Sequence, residues 1–159
     1  MGQQWDINLY NKIINDIKEV VINDCVKLIY ETMKDMVYEI VYNTYRPTQY
    51  KRRYDNDGGL GDMNTYDFEI NNLTQDGFVL RVFSNATGNV NAPNPNLVGK
   101  PIDECIVEGV GYSWEASKIY QNQPYPRDFY TATLHSLIDT GVLYNILKTK
   151  LKEKGMNIR

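Results

Sequence analysis

Between Leu9 and Tyr42 the apolar residues return in steps of three and four: Leu9, Ile13, Ile17, Val20, Val21, Cys25, Leu28, Ile29, Met33, Met36, Val37, Ile40 and Val41. That spacing holds them on one face of a 3.6-residue period. Lys12, Asp16, Lys18, Asp24, Lys27, Glu31, Lys34, Asp35 and Glu39 fall on the other face. No Pro or Gly interrupts the run, so the pattern predicts a long helix within residues 1–44. At 1.5 Å per residue such a helix extends about 50 Å. Asn23 and Asp24, whose side chains compete for backbone hydrogen bonds, mark the place where it would break. A rod of this length exceeds what the rest of a small domain covers, so part of its stripe is expected to face something else.

The polar pattern then changes. Pro47 disfavours helix at Arg46, and residues 45–64 read as an extended arm. It comprises Tyr45 to Tyr54 and the turn-rich run Asp55–Asp62, where Gly58, Gly59 and Gly61 permit positive φ. Tyr66, Phe68 and Ile70 alternate with Asp67, Glu69 and Asn71, and Phe78–Phe83 follows, with Asp76-Gly77 between. This predicts a β-hairpin. Asn85–Lys100, with Pro93 and Pro95, reads as a surface loop. Pro101 opens a short helix, Ile102–Glu108, closed by Gly109, and Gly111–Trp114 reads as a loop or short strand.

From Pro126 a last helical region places Phe129, Leu134, Leu137 and Ile138 on one face. It bends at Gly141, resumes with Val142, Leu143, Ile146, Leu147 and Leu151, and is capped by Gly155. Met156–Arg159 is expected to add a short strand. The order predicts an α+β fold in one domain over 1–159: a long N-terminal helix, a small antiparallel sheet with a β-hairpin, and a C-terminal helix pair, the last two within 65–159.

Composition narrows the function classes. The 159 residues suffice for one core, and the net charge of −3 argues against a polyanion binder with a basic face. No run approaches the roughly 18–20 apolar residues that cross a bilayer. The start, MGQQWDINLY, lacks a basic region followed by an apolar core, and Asp6 stands where a myristoylation motif has Ser or Thr. A cytoplasmic site of synthesis is expected, with Cys25 and Cys105 as reduced, buried thiols. Thirteen tyrosines fit an A/T-rich coding bias, and equally an interface-forming surface, since tyrosine joins a large ring to a polar tip.

Candidate chemistry is sparse. His135 has no nucleophile motif beside it and no His or Cys at metal-pair spacing. Of Asp55, Asp57, Asp62, Asp103, Glu104 and Glu108, most sit in turns or at helix starts, and Asp103 and Glu104 directly after Pro101 are where negative charge suits the helix dipole. Gly58-Gly59-Leu60-Gly61 lacks the Lys-Ser/Thr ending of a phosphate loop. No enzyme, metal or cofactor is expected. Tyr50-Lys51-Arg52-Arg53-Tyr54 is the one basic cluster with interleaved aromatics. It reads either as a strip for nucleic acid or as a docking arm onto an acidic protein neighbour.

The arm also carries a resemblance. Tyr45-Arg46-Pro47-Thr48-Gln49-Tyr50-Lys51-Arg52-Arg53-Tyr54 followed by Gly58-Gly59-Leu60 resembles a stretch of small phage and prophage morphogenesis proteins of Gram-positive bacteria. The hairpin with Asn85-Ala86-Thr87, the Ile106–Gly111 segment and Gln123-Pro124-Tyr125-Pro126-Arg127-Asp128-Phe129 follow in the same order. Asp128 stands where that family's motif has a second proline. The likeness spans about residues 38 to 159 and is to the tail-completion or head–tail joining (neck) proteins of long-tailed phages.

It implies a non-enzymatic virion subunit in a homo-oligomeric ring, expected to be hexameric, between tail-tube and head-side connector proteins. DNA would be met only in passing through the ring. The protein would lie in the tail or neck of the virion and in the host cytoplasm during assembly. Interaction candidates are Tyr45, Pro47, Tyr50, Lys51, Arg52, Arg53, Tyr54, Arg127 and Phe129. The alternatives are another minor head or assembly protein, or a nucleic-acid-binding module using Lys51, Arg52 and Arg53.

Overall fold

A computed structural model of the chain describes residues 2–44, 46, 52–53, 56–72, 74, 77–88, 98–109 and 125–158, with side chains from Ile7 onward. The architecture is α+β: a long N-terminal helix, a two-stranded antiparallel β-hairpin and C-terminal helices. It divides into two compact units. The first contains residues 1–29, 68–82 and 137–159; the second contains 30–67 and 83–136.

The N-terminal helical run begins as α1 (Gly2–Val20) and continues through a π turn (Val21–Cys25) into α2 (Val26–Met36), then a second π turn (Val37–Tyr42). At Asn23 and Asp24 the chain does not break. It widens to i→i+5 hydrogen bonding, which admits one extra residue without leaving the helix. In the first unit, α5 (Val142–Glu153) packs against α1 and this π turn. Val20, Cys25, Val26, Leu137 and Leu151 supply the buried apolar side chains. Lys154 Nζ lies 3.0 Å from Glu19 and 3.8 Å from Asp16, and Lys150 Nζ lies 3.8 Å from Asp24. Numbers rise along one helix as they fall along the other, so the two run antiparallel.

Strands β1 (Tyr66–Asn71) and β2 (Val79–Ser84) form the predicted hairpin. Its tip is closed by Thr74 N donating to Gly77 O at 2.9 Å. The Glu69 and Arg81 side chains meet across the strands at 3.0 Å. Asp76 lies outside the described residues.

In the second unit Met33, Val37, Val41, Tyr42, Leu60, Tyr66, Ala86 and Phe129 are buried. Helix α3 (Asp103–Glu108) ends at Gly109, whose φ of 69° is the left-handed value that a side chain disfavours. Asp128 starts α4 (Phe129–Thr140) by accepting the Thr131 N–H at 2.9 Å and the Thr131 hydroxyl at 2.6 Å. In the first unit Gly141, at φ 63°, separates α4 from α5 as expected. Residues 156–158 are irregular, where a terminal strand was expected.

Candidate interaction surface

Tyr42 organises the segment read from sequence as a loose arm. Its buried hydroxyl accepts the Gly61 N–H at 2.9 Å and donates to the Arg53 carbonyl at 3.2 Å. Its ring meets Tyr38 edge-on, with centroids 5.0 Å apart. Arg52 stacks its guanidinium 4.7 Å from the Tyr42 centroid and donates to the Tyr42 carbonyl at 2.7 Å. Arg53 donates to the carbonyl of Thr87. Both guanidiniums named as interaction candidates therefore bind backbone oxygens of their own unit.

The glycine-rich run is part of the same knot. Leu60 is only 2% exposed, and Gly59, Gly61 and Asp62 are buried with it. A Cβ on Gly59 would come within 2.6 Å of the Arg53 carbonyl oxygen, so the glycine permits a close backbone approach. Tyr66 donates its hydroxyl to the Leu60 carbonyl at 2.6 Å. Asp62 closes the turn: one carboxylate oxygen accepts the Gly58 N–H at 2.9 Å, the other the Asn64 N–H at 3.0 Å and the Asn64 side-chain amide at 2.9 Å. Burial alone would raise the Asp62 pKa. The hydrogen bonds from Gly58, Asn64 and Asn56 outweigh it and hold the carboxyl below the usual range. Residues 59–62 are thus buried in their unit, with Asn56 and Asp57 exposed, where an extended arm was expected.

Arg127 and Phe129 also point inward. Phe129 is 0% exposed and Arg127 9%, so in this fold neither presents a surface to a partner. Arg127 N donates to the Ile106 carbonyl at 3.0 Å, tying the start of α4 to α3. Beside them Tyr130 accepts the Ser84 N–H at 2.9 Å and donates to Asp103 at 2.7 Å. Tyr45, Pro47, Tyr50, Lys51 and Tyr54 lie outside the described residues, as do 89–97 of the Asn/Pro loop and 110–124.

Several large apolar side chains face solvent among the polar ones. In the first unit Ile7 (53% exposed), Leu9 (60%) and Tyr10 on α1 stand open, with Val79 on β2, Ile138 on α4 and Tyr144 on α5. In the second unit Val98, Tyr125 and Leu134 do so. A shallow, mainly apolar recess of about 220 Å³ runs along α5 beside Val142, Ile146 and Lys150. Of the exposed side chains, the sequence pattern placed Leu9, Leu134 and Ile138 on apolar helix faces, and it did not single out Ile7, Tyr10 or Tyr144.

Among the described residues no three His, Cys, Asp or Glu side chains are grouped to hold a metal ion. His135 is exposed on α4. Cys25 and Cys105 are free thiols whose pKa values are pushed up, first by burial and then by neighbouring carboxylates. No described helix is long and apolar enough to cross a membrane.

Compared with curated proteins and with solved structures, the chain has no significant match in either. The sequence profile of one family, YomN, matches residues 7–153. That stretch includes α1 from Ile7, the Tyr42 knot, the hairpin and both C-terminal helices, so the chain belongs to the phage-associated YomN family.

Proposed function

We propose that this chain is a non-enzymatic structural protein of a phage particle, a tail-completion or neck subunit that joins tail to head as one member of a closed ring. Membership of a phage-associated family supports the general setting. The observation that carries the finer reading is the set of large apolar side chains left in water, above all Ile7 and Leu9 on α1. Exposed apolar surface of this kind is suited to burial against another protein. A ring of identical copies covers such surface by joining one patch to a different patch on the next copy.

The working surfaces in this reading differ from the basic arm. Arg52 and Arg53 are engaged with the carbonyls of Tyr42 and Thr87, which removes support from a nucleic-acid strip built on them. Partners are therefore sister subunits and the tail-tube and head-side proteins, and DNA passes through the ring.

Particles purified from a lysate that expresses the chain provide the test. Immunoblotting should find it in intact particles, at a copy number relative to tail-tube protein that fits one ring. Complete absence from particles that contain portal and tail-tube proteins would refute the proposal.

A further inference from the structure

The sheet has two strands, so β1 pairs with one edge of β2 and the other edge is left over. Along an antiparallel pair, successive residues turn their N–H and C=O alternately toward the partner strand and away from it. Ser84 fixes the phase, because its N–H goes to the Tyr130 hydroxyl at 2.9 Å and therefore points away from β1. Val82 and Leu80, two and four residues earlier, share that outward direction. The backbone of Arg81 between them faces β1. Tyr130 closes the outer edge at Ser84. Among the described residues the outward groups of Val82 and Leu80 have no hydrogen-bond partner.

A two-stranded hairpin is only marginally stable in water. A row of alternating backbone donors and acceptors is the complement of an extended polypeptide backbone. The same edge of a second copy supplies one. About a two-fold axis at Arg81, Leu80 stands opposite Val82 of the second copy, and Val82 opposite its Leu80. Each of these pairs exchanges two hydrogen bonds, so all the outward groups of both residues are used. A register shifted toward Ser84 meets the Tyr130 hydroxyl, and one shifted the other way leaves the strand at Val79.

The side chains agree with this register. Leu80 and Val82, both half-buried, face each other across the new pair, and aliphatic cross-strand neighbours are favourable. Arg81 is the only charge on β2 and would stand opposite its own copy. The Glu69 carboxylate of each copy, 3.0 Å from that guanidinium, offsets the repulsion.

We infer that β2 pairs antiparallel with β2 of a second copy of this chain, making one four-stranded sheet with Arg81 at the two-fold axis. A contact of this kind uses the same patch on both copies, unlike the head-to-tail contacts of a ring. The inference therefore does not rest on the virion reading.

Cysteine cross-linking of the full chain tests it. Opposed residues of a non-hydrogen-bonded pair have Cα atoms about 4.5 Å apart, within disulfide reach. Arg81→Cys should thus form a covalent dimer under mild oxidation. Glu69→Cys loses the same ion pair, but its two copies would lie about 14 Å apart, three strand spacings, and should cross-link no more than wild type. Adding Val82→Pro to Arg81→Cys deletes an outward N–H and spares the hairpin's own ladder. It should cut the dimer yield severalfold with the circular dichroism of the fold retained. Equal cross-linking at positions 81 and 69, or a yield that the proline leaves unchanged in a folded chain, overturns the inference. A wild-type chain that light scattering finds monomeric at the highest concentration it tolerates also overturns it. If the proline variant unfolds, the comparison of positions 81 and 69 decides alone. Detection of the chain in particles decides the virion proposal separately.

Discussion

Gly61 points its N–H at the hydroxyl of Tyr42, 2.9 Å away, and so fastens the glycine-rich turn to the end of the N-terminal helical run. A Cβ at Gly61 would stand 3.0 Å from the rings of both Tyr38 and Tyr42, and one at Gly59 would stand 2.6 Å from the Arg53 carbonyl oxygen. Rings can tilt by a few tenths of an ångström, but a carbonyl held by the chain on both sides moves only with the backbone. Gly59→Ala should therefore destabilise more than Gly61→Ala, within the roughly 1–3 kcal/mol typical of overpacking. Urea denaturation of the two variants gives the order, and a larger loss at Gly61 would contradict this geometry.

Asp62 should make the same turn acid-sensitive. Its folded pKa lies below its ordinary value, about 3.9 for an unfolded aspartate. The sign follows from linkage: the stabilisation is fully present above the unfolded value and is lost as pH falls through the folded one. Asp62→Asn, which places an amide donor among N–H donors, should cost about 1–3 kcal/mol at neutral pH. The gap between wild type and variant should shrink below about pH 4. Denaturation midpoints at pH 7 and pH 3 supply the comparison, and a gap independent of pH would exclude the carboxylate as the cause.

The regular elements were legible in the sequence because each has a local cause. The three-and-four spacing drew the N-terminal helix, and Gly109 and Gly141 ended helices at left-handed positions. Leu60 was not legible. One leucine among glycines and aspartates has no period, and its burial depends on Tyr66 and on a loop fastened to Tyr42, residues that only the folded chain brings near. Arg52 and Arg53 read as a solvated basic cluster because their carbonyl acceptors, on Tyr42 and Thr87, are distant in sequence. The π turn at Val21–Cys25 had a partial signal in Asn23 and Asp24, which locates the irregularity but not its kind.

Phe129 is a core residue despite its place in a motif that resembles an interaction segment. With no solvent exposure, Phe129→Ala should cost about 3–5 kcal/mol. Thermal melting should show a large drop in midpoint. A near-zero shift with loss of particle assembly would instead restore Phe129 as a contact residue.

The ion pairs between α1 and α5 should matter little to stability. Lys154 reaches both Asp16 and Glu19, but Glu19 is more than half exposed and solvent screens the pair. Lys154→Ala should cost no more than about 1 kcal/mol, and less in high salt, where the screening length falls to about 3 Å at 1 M. Denaturation at low and high ionic strength gives both numbers.

Tyr130 joins three elements through one oxygen. Its hydroxyl accepts from the Ser84 backbone at the end of β2 and donates to Asp103 in the first turn of α3, while its own residue sits in α4. The second Asp103 oxygen is buried and has no hydrogen-bond partner among the described residues, so the Tyr130 hydroxyl is an important neighbour of a costly carboxylate. Tyr130→Phe should therefore lose about 1–3 kcal/mol, because it strips a donor from the buried carboxylate and an acceptor from the Ser84 N–H. Asp103→Ala removes the carboxylate itself, so its effect in the Tyr130→Phe background should be smaller than in wild type. A double-mutant cycle should return a coupling of about 0.5–3 kcal/mol. Strict additivity would mean that the 2.7 Å contact contributes nothing, and that packing of the ring alone holds α3 to α4.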